Sequence, residues 1–460
     1  MTGAGLNGTR LLVRDVSQIA EVTITGLSHD GRGVGRHEGQ VVFVPDLLPG
    51  ERARVRVERG ARGVLNGSCL ERLSDSAQRR RPPCILAERC GGCSLQHLRY
   101  AAQLDSKALM LHQALARIAQ IDLEPLPLIS NGQELGYRNR AVIPLERTPE
   151  GTIKAGFYRQ GSHRIVNMNH CPVLDPRLDP LIAPIKADLE ASGWPVDRHL
   201  QAEGGLRHLA LRVGHHSDDV LITLISSRAD LADSQVLAAR WMDRWPQVVG
   251  VVLNLQPRPS NTLFGPQSEV LAGRSWLRER FYGLDFAIGG DTFFQVNTAQ
   301  AEAAAGQILA ALIPGDGLVV DAYCGVGAFS LPLAAAGHTV LGLELQDGSI
   351  ELARRNASLN GLEDRCQFQA GPVADHLAAQ LASAKAVVVD PPRKGLETAV
   401  RQVLIEQPVP RLLYLSCDPA TLARDLKALS GEGPYRLESL QPFDFFPNTS
   451  HVETLAVLSS

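Results

Sequence analysis

From about Asp291 onward, short apolar strands and helices alternate: AAAGQILAALI, GLVVDAYCGVG, SLPLAAAG, HTVLGLEL, GSIELARRNASLNG, AVVVDPP, RLLYLSC. This alternation predicts a parallel sheet covered by helices on both sides, a Rossmann-like α/β domain. Ligands in such sheets lie at the C-terminal ends of the strands, so residues at those ends are the first candidates for chemistry.

A chain of 460 residues is too long for one core. Three domains are expected, with boundaries at 12–75, 76–290 and 291–460. Residues 1–15 read as a loose leader. From Glu21 to about Leu73 the segments EVTITGL, QVVFVPDLL, ERARVRVERG and GVLNGSCLERL alternate apolar and polar residues between Gly-rich turns. They predict a small OB-like β-barrel. Arg52, Arg54 and Arg56 share one strand face, opposite Val55 and Val57. Between Glu51 and Arg81 nine arginines face four acids, a local charge of +5 in a chain whose net charge is −3. Such a wall suits phosphate, with a merely solvated basic face as the alternative. The segment GRGVGRHEG reads as a loop from which Arg32 and Arg36 reach phosphate. Tyr100–Gln120 has helical periodicity through Leu104, Ala108, Leu111, Leu115 and Ile118, and this helix is expected to pack on the catalytic domain. Residues 125–290 read as mixed α/β.

No apolar run is long enough to span a bilayer, and the N-terminus lacks the apolar stretch of a signal peptide. Eight widely spaced cysteines do not resemble a disulfide scaffold. The expectation is a reducing cytoplasm.

Several strand ends carry chemistry. GLVVDAYCGVGAFS is strand, Gly-rich turn and helix, in which Gly325 and Gly327 let a ligand approach backbone at the helix start. HTVLGLEL ends in Glu344, a carboxylate placed for ribose hydroxyls. Together they point to an adenosine-containing cofactor, either NAD-like or S-adenosylmethionine. VVVDPPRKGL ends in Asp390 and two prolines that stiffen the turn. In RLLYLSCDPATLARDL, Cys417 stands at a strand end and a helix mouth, where partial positive charge favours thiolate. A buried structural cysteine is the alternative.

These segments resemble the RNA (uracil-5-)methyltransferase family. Its DPPR-x-G pattern stands at Asp390–Gly395, its SC[ND]PATLARDL pattern at Ser416–Leu426, and its FP-x-T-x-H-x-E signature at Phe446–Glu453. The resemblance implies that Cys417 is a nucleophile toward uracil C6 and Glu453 a proton acceptor. It also implies that Gln295, Tyr323, Glu344 and Asp390 contact S-adenosylmethionine. Ala328 and Pro372 depart from the family pattern near the cofactor. The front barrel resembles a TRAM domain, and Tyr137, Arg138 and Arg140 are RNA contacts or a hairpin anchor.

Cys84-x5-Cys90-x2-Cys93, with Gly91-Gly92 allowing a tight turn, suits a metal that needs a fourth ligand. By resemblance Cys171 completes a [4Fe–4S] cluster; zinc with His97 is the alternative. Cys69, Cys324 and Cys366 read as packing residues. The barrel and cysteine set together look like the ribosomal-RNA branch. The implied activity is 5-methyluridine formation in 23S rRNA by a monomer with no membrane partner. The alternatives are the same chemistry on tRNA, or a non-catalytic iron–sulfur RNA-binding protein.

Overall fold

A computed structural model describes residues 18–60, 63–197, 204–258, 260, 262–312 and 317–460. The leader, Arg62 and the first residues of the expected barrel domain lie outside the described residues. The chain divides into two compact units: one holds the residues up to Arg81 with His97–Arg99, the other Pro82–Gln96 with Tyr100–Ser460.

The first unit is a closed barrel of β1 (Gln18–Leu27), β2 (Gly33–His37), β3 (Gln40–Val44), β4 (Arg52–Arg59) and β5 (Leu65–Ser74), ordered β1-β2-β3-β5-β4. Strict alternation on β4 sends Ala53, Val55 and Val57 into the core and Arg52, Arg54 and Arg56 outward. The segment expected as a Gly-rich loop is strand β2. Its glycines serve packing: a Cβ on Gly33 would sit 2.6 Å from the Leu47 carbonyl, and one on Gly35 2.7 Å from that of Thr23. Arg32 and Arg36 are engaged within the barrel. Arg32 bonds Asn66 at 3.1 Å and lies over the Phe43 ring, and Arg36 donates to Gly39 O at 3.0 Å. The basic wall is partly neutralised. Arg52 pairs with Glu21, Arg54 with Glu71, Arg72 with Asp75, and Arg79 with the fully buried Glu51.

The second unit contains two sheets and a hairpin. The six-stranded sheet comprises β6 (Arg140–Arg147), β7 (Ile153–Ala155), β8 (Leu206–Val213), β9 (Val220–Ser226), β10 (Val248–Leu255) and β11 (Gln267–Gly273), ordered β11-β10-β9-β8-β6-β7. β12 (Trp276–Phe281) and β13 (Leu284–Gly289) form the hairpin. Its docking on the helix Asp347–Leu359 is specific. Asn356 bonds both backbone groups of Ala287, and Asn360 both of Asp285.

The seven-stranded sheet contains β14 (Leu318–Ala322), β15 (Thr339–Glu344), β16 (Cys366–Ala370), β17 (Ala384–Val389), β18 (Arg411–Ser416), β19 (Arg436–Phe443) and β20 (Glu453–Ser459). Its order is β16-β15-β14-β17-β18-β20-β19, and β20 alone runs against the others. Strand alternation feeds two cores. Val319, Val388 and Leu413 enter one, with the helices Thr298–Ala311 and Asp347–Leu359; Val320, Val387 and Leu412 enter the other. The second core also takes Leu111, Leu115 and Ala119 from the segment Tyr100–Ala119.

That helix buries Leu111 and Leu115 as its apolar periodicity predicts, but its inner face is rotated from the rest of the stripe. Gln103 and Lys107 are fully buried, while Leu104 and Ala108 are half-exposed and Ile118 is exposed. Two polar residues win the inner face because the C-terminal chain supplies partners for both. Trp241 is fully buried under the six-stranded sheet, and its indole N–H donates to Asp188 at 2.8 Å.

Candidate active site

The sheet order reverses beside β14, with β15 on one side and β17 on the other, which opens a crevice at the C-terminal strand ends. Tyr323 follows β14, Glu344 ends β15, Asp390 follows β17 and Cys417 follows β18. Because β20 is antiparallel, its first residue lies at this same edge. The register pairs Ser416 with Thr454, so the next residues outward are Cys417 and Glu453. Strand pairing alone thus brings together two residues that are far apart in sequence.

Cys417 is half-buried, and Glu453 is buried with its Oε2 unpartnered. Burial, then the carboxyls of Glu453 and Asp390, push the Cys417 thiol up to about 12 against the pull of Arg393. This corrects the expectation of a thiolate favoured by the helix start. The helix Pro419–Leu426 has little to offer the sulfur: Pro419 carries no N–H, and the Thr421 N–H is taken by the Asp418 carboxylate at 2.7 Å. Burial, with a contribution from Asp390, also drives Glu453 well above the usual carboxylate range. Asp390 is pushed up to about 7 by burial and by Asp321, with the Gln295 amide opposing. That amide donates to Asp390 Oδ2 at 3.1 Å.

The cofactor candidates surround an open turn. Tyr323 has φ +70° and a buried hydroxyl without a partner, and Gly325 and Gly327 are also left-handed. Little lies near the Cα of Gly325, where an added Cβ would meet only Phe293 O at 3.9 Å. Glu344 is fixed by the N–H groups of Gly325 (3.2 Å) and Gln346 (2.9 Å), which leaves acceptor capacity for ribose hydroxyls. These residues fit S-adenosylmethionine. Ala328 packs against the hydrophobic core, and Pro372 begins the short helix after β16.

Several neighbours were not legible from spacing. Arg393 Nη2 lies 3.2 Å from His451 Nε2, and its charge favours ionisation of both Cys417 and Glu453. His451 stacks edge-on against Phe446, and burial with Arg393 and Lys107 lowers its pKa to about 4. Asp425 ties the DPPRKG turn to the following helix by accepting from Leu396 N (3.0 Å), Arg401 (2.6 Å) and Tyr414 (2.8 Å). Gly395 is required there, since a Cβ would meet Thr421 Cγ2 at 2.3 Å and Asp425 Oδ2 at 2.4 Å.

The segment 137–140 is anchored by internal contacts, with Arg138 half-exposed. Tyr137 is buried and donates to Pro447 O at 3.2 Å, and Arg138 donates to Arg140 O at 3.0 Å. Arg140 donates to Thr292 O and Gly290 O and lies over the Phe264 ring. It therefore anchors the segment that leads to Gln295.

Cys84, Cys90, Cys93 and Cys171 are half-buried thiols. Burial pushes Cys93 up to about 12 and Cys171 up to about 11, and in each case the other cysteines of the set add to the rise. Backbone N–H groups of Leu86 and Gly92 reach Cys84 and Cys90 Sγ at 3.4 and 3.5 Å. No group of three or more His, Cys, Asp or Glu is drawn to ion-holding distance among the described residues. His97 belongs to the barrel unit, and its charged surroundings are Arg79, Glu51, Arg72 and Arg80 rather than cysteines. No helix among the described residues is long and apolar enough to cross a membrane.

Comparison with known proteins identifies the domains. Residues 13–70 match the TRAM domain, 319–406 a methyltransferase domain, and 376–460 the tRNA (uracil-5-)-methyltransferase family. An uncharacterized RNA methyltransferase of Parasynechococcus marenigrum is 51% identical over 95% of each chain. One from Synechocystis is 43% identical over 96% of each. The solved structure of Pyrococcus abyssi tRNA (uracil-54, C5)-methyltransferase with S-adenosyl-L-homocysteine superposes with a TM-score of 0.75 at 26% identity, covering 95% of this chain and 99% of that one. The chain belongs to the RNA (uracil-5-)methyltransferase family and is an S-adenosylmethionine-dependent RNA methyltransferase with an N-terminal TRAM domain.

Proposed function

We propose that the protein methylates C5 of one uridine in 23S rRNA through a covalent cysteine adduct. The observation that carries the mechanism is the β18–β20 register, which sets Glu453 across from Cys417 at the strand edge shared with Asp390. Cys417 gives up its thiol proton to solvent and adds as thiolate to C6 of an extruded uracil, and the new C–S bond makes C5 nucleophilic. Bound S-adenosylmethionine supplies the methyl group on a sulfonium. Glu453 takes the C5 proton, the freed electron pair restores the C5=C6 bond, and the C6–S bond breaks to release Cys417. In the free protein both groups are shifted toward their protonated forms, and Arg393 is the neighbour that favours ionisation. Gln295, Tyr323, Glu344 and Asp390 hold the cofactor in this reading.

A second reading, with tRNA as substrate, is favoured by one observation. A protein named as a tRNA enzyme matches this chain across 99% of its own length. The match covers 95% of this chain, so the barrel does not by itself point to ribosomal RNA. Competition between unmodified 23S rRNA and tRNA transcripts, with labelled cofactor and mapping of the product uridine, separates the two. Cys417→Ala that still turns over would rule out the covalent route. Glu453→Gln is expected to accumulate a protein–RNA adduct, and normal product release by that variant would remove Glu453 from its role.

Cys84, Cys90, Cys93 and Cys171 are assigned to a [4Fe–4S] cluster whose contribution is to cross-link the loop around residue 90 to the segment around 171. The charged surroundings of His97 are Arg79, Glu51, Arg72 and Arg80 rather than cysteines, which supports this over zinc with His97.

A further inference from the structure

The turn between β19 and β20, residues 444–452, is buried along nearly its whole length and ends at Glu453. Much of its fastening comes from residues 94–137. Lys107 and Asp444 form an ion pair with both side chains at 0% exposure. Lys107 Nζ also donates to Phe446 O at 2.9 Å, and Tyr100 Oη donates to Asp444 Oδ2 at 2.7 Å. Gln103 makes a reciprocal pair with Asn448: its Oε1 accepts the Asn448 N–H at 2.8 Å and its Nε2 donates to Asn448 Oδ1 at 3.2 Å. Asn448 is itself left-handed, at φ +66°, and donates to Glu134 O at 2.8 Å. Leu95 N donates to Asn448 O at 2.9 Å, and Ser450 N to Ser94 Oγ at 3.2 Å.

Burying an ion pair is an expensive way to seat a helix, because removing each ion from water costs several kcal/mol and apolar side chains would pack as well. What buried polar pairs add is direction, since they fix the position of the turn and not merely its proximity. These bonds from Gln103 and Lys107 to the C-terminal chain fall on Asp444, Phe446 and Asn448, ahead of His451 and Glu453. None of them falls on Cys417, Gln295, Glu344 or Asp390.

We propose that Gln103 and Lys107 are positioning residues for proton removal: they hold the 444–452 turn so that Glu453 meets the C5 proton, and they leave the earlier adduct-forming step untouched. This rests on Glu453 being the base. The two halves of the reaction can be read separately. With normal RNA the adduct collapses after the C5 proton leaves. With 5-fluorouridine RNA there is no C5 proton, so a methylated adduct persists and its appearance reports only the first half.

The test compares wild type, Gln103→Leu, Lys107→Met/Asp444→Leu and Glu453→Gln. The probe is an in vitro transcript of 23S rRNA or tRNA, whichever the wild-type protein methylates. Single-turnover reactions are resolved on denaturing gels, and folding is checked by thermal melts. Both positioning variants are expected to form the 5-fluorouridine adduct within about twofold of the wild-type rate. They should release product from normal RNA about 10–100-fold more slowly, the scale of a displacement near 1 Å. Equal slowing of both steps, or of neither, overturns the proposal. If the double variant does not fold, Gln103→Leu alone decides. Product release by Glu453→Gln at the wild-type rate removes the base, and the proposal with it, whereas adduct accumulation there with no split in Gln103→Leu removes only the positioning role.

Discussion

The protonation of Cys417 in the free protein is open to direct measurement. Burial, Glu453 and Asp390 move its thiol from 9.0 to about 12. At pH 8 that lowers the thiolate fraction about 1000-fold relative to an ordinary thiol. A more basic thiolate is also more nucleophilic. With a Brønsted slope of about 0.4–0.5, the same rise returns about 16–32-fold. The net expectation is that Cys417 reacts with a small neutral disulfide about 30–60-fold more slowly than a model thiol. The assay is timed reaction with 2,2′-dithiodipyridine, followed by peptide mass spectrometry to separate Cys417 from the seven other cysteines. The logarithm of its rate should rise with pH at unit slope past pH 10. Sinefungin, which carries a positive charge where S-adenosylhomocysteine has a neutral sulfur, should speed the reaction more than S-adenosylhomocysteine does. A rate plateau below pH 9, or reaction as fast as the model thiol, would refute the argument from burial and neighbouring carboxyls.

Asp390 retains its proton to about pH 7 when folded, against 3.8 for an ordinary aspartate. The folded state then binds more protons than the unfolded one between those values, so this group's contribution to stability falls as pH rises through that window. Asp390→Asn should gain up to about 4 kcal/mol at pH 8 and under about 1 kcal/mol at pH 4, while losing cofactor affinity; equal melting shifts at both pH values would contradict this. Trp241→Ala should cost about 3–5 kcal/mol in denaturant unfolding, and a loss below 1 kcal/mol would show that the six-stranded sheet does not depend on it. Anaerobically purified protein should contain iron and sulfide, and Cys93→Ser should lose its visible absorption; a colourless, zinc-containing preparation would overturn the cluster. Arg56→Ala, on the outer barrel face, should weaken RNA binding and reduce the salt slope by about 1, and an unchanged slope would exclude that face from phosphate contact.

Much of this site is legible in the sequence, because strand ends are marked there. Glu344, Asp390 and Cys417 each close an apolar run, and parallel strands carry all three to one edge. Glu453 is harder to place, since only the antiparallel insertion of β20 between β18 and β19 turns the start of a strand toward that edge. Periodicity finds Leu111 on the inner face of the helix Tyr100–Ala114 but misses Gln103 and Lys107, because it counts apolar residues. Arg140 misleads for a related reason. A charged residue in sequence suggests solvent or phosphate, yet the backbone carbonyls of Gly290 and Thr292 serve it as well. The Gly-rich segment at 33–37 misleads because glycine signals both a turn and a strand crowded by its neighbours.

The Lys107–Asp444 pair spans 337 positions. At ~5–20 residues per second, a ribosome needs roughly 17–70 s to cover that distance. During that interval Asp444 is not available to pair with the ammonium, and burying the charge alone would cost several kcal/mol. The helix around Lys107 is therefore held away from its final seat while the strands it will cover are still being made. The pair can form only once Asp444 has been synthesised, so the catalytic edge closes late in synthesis.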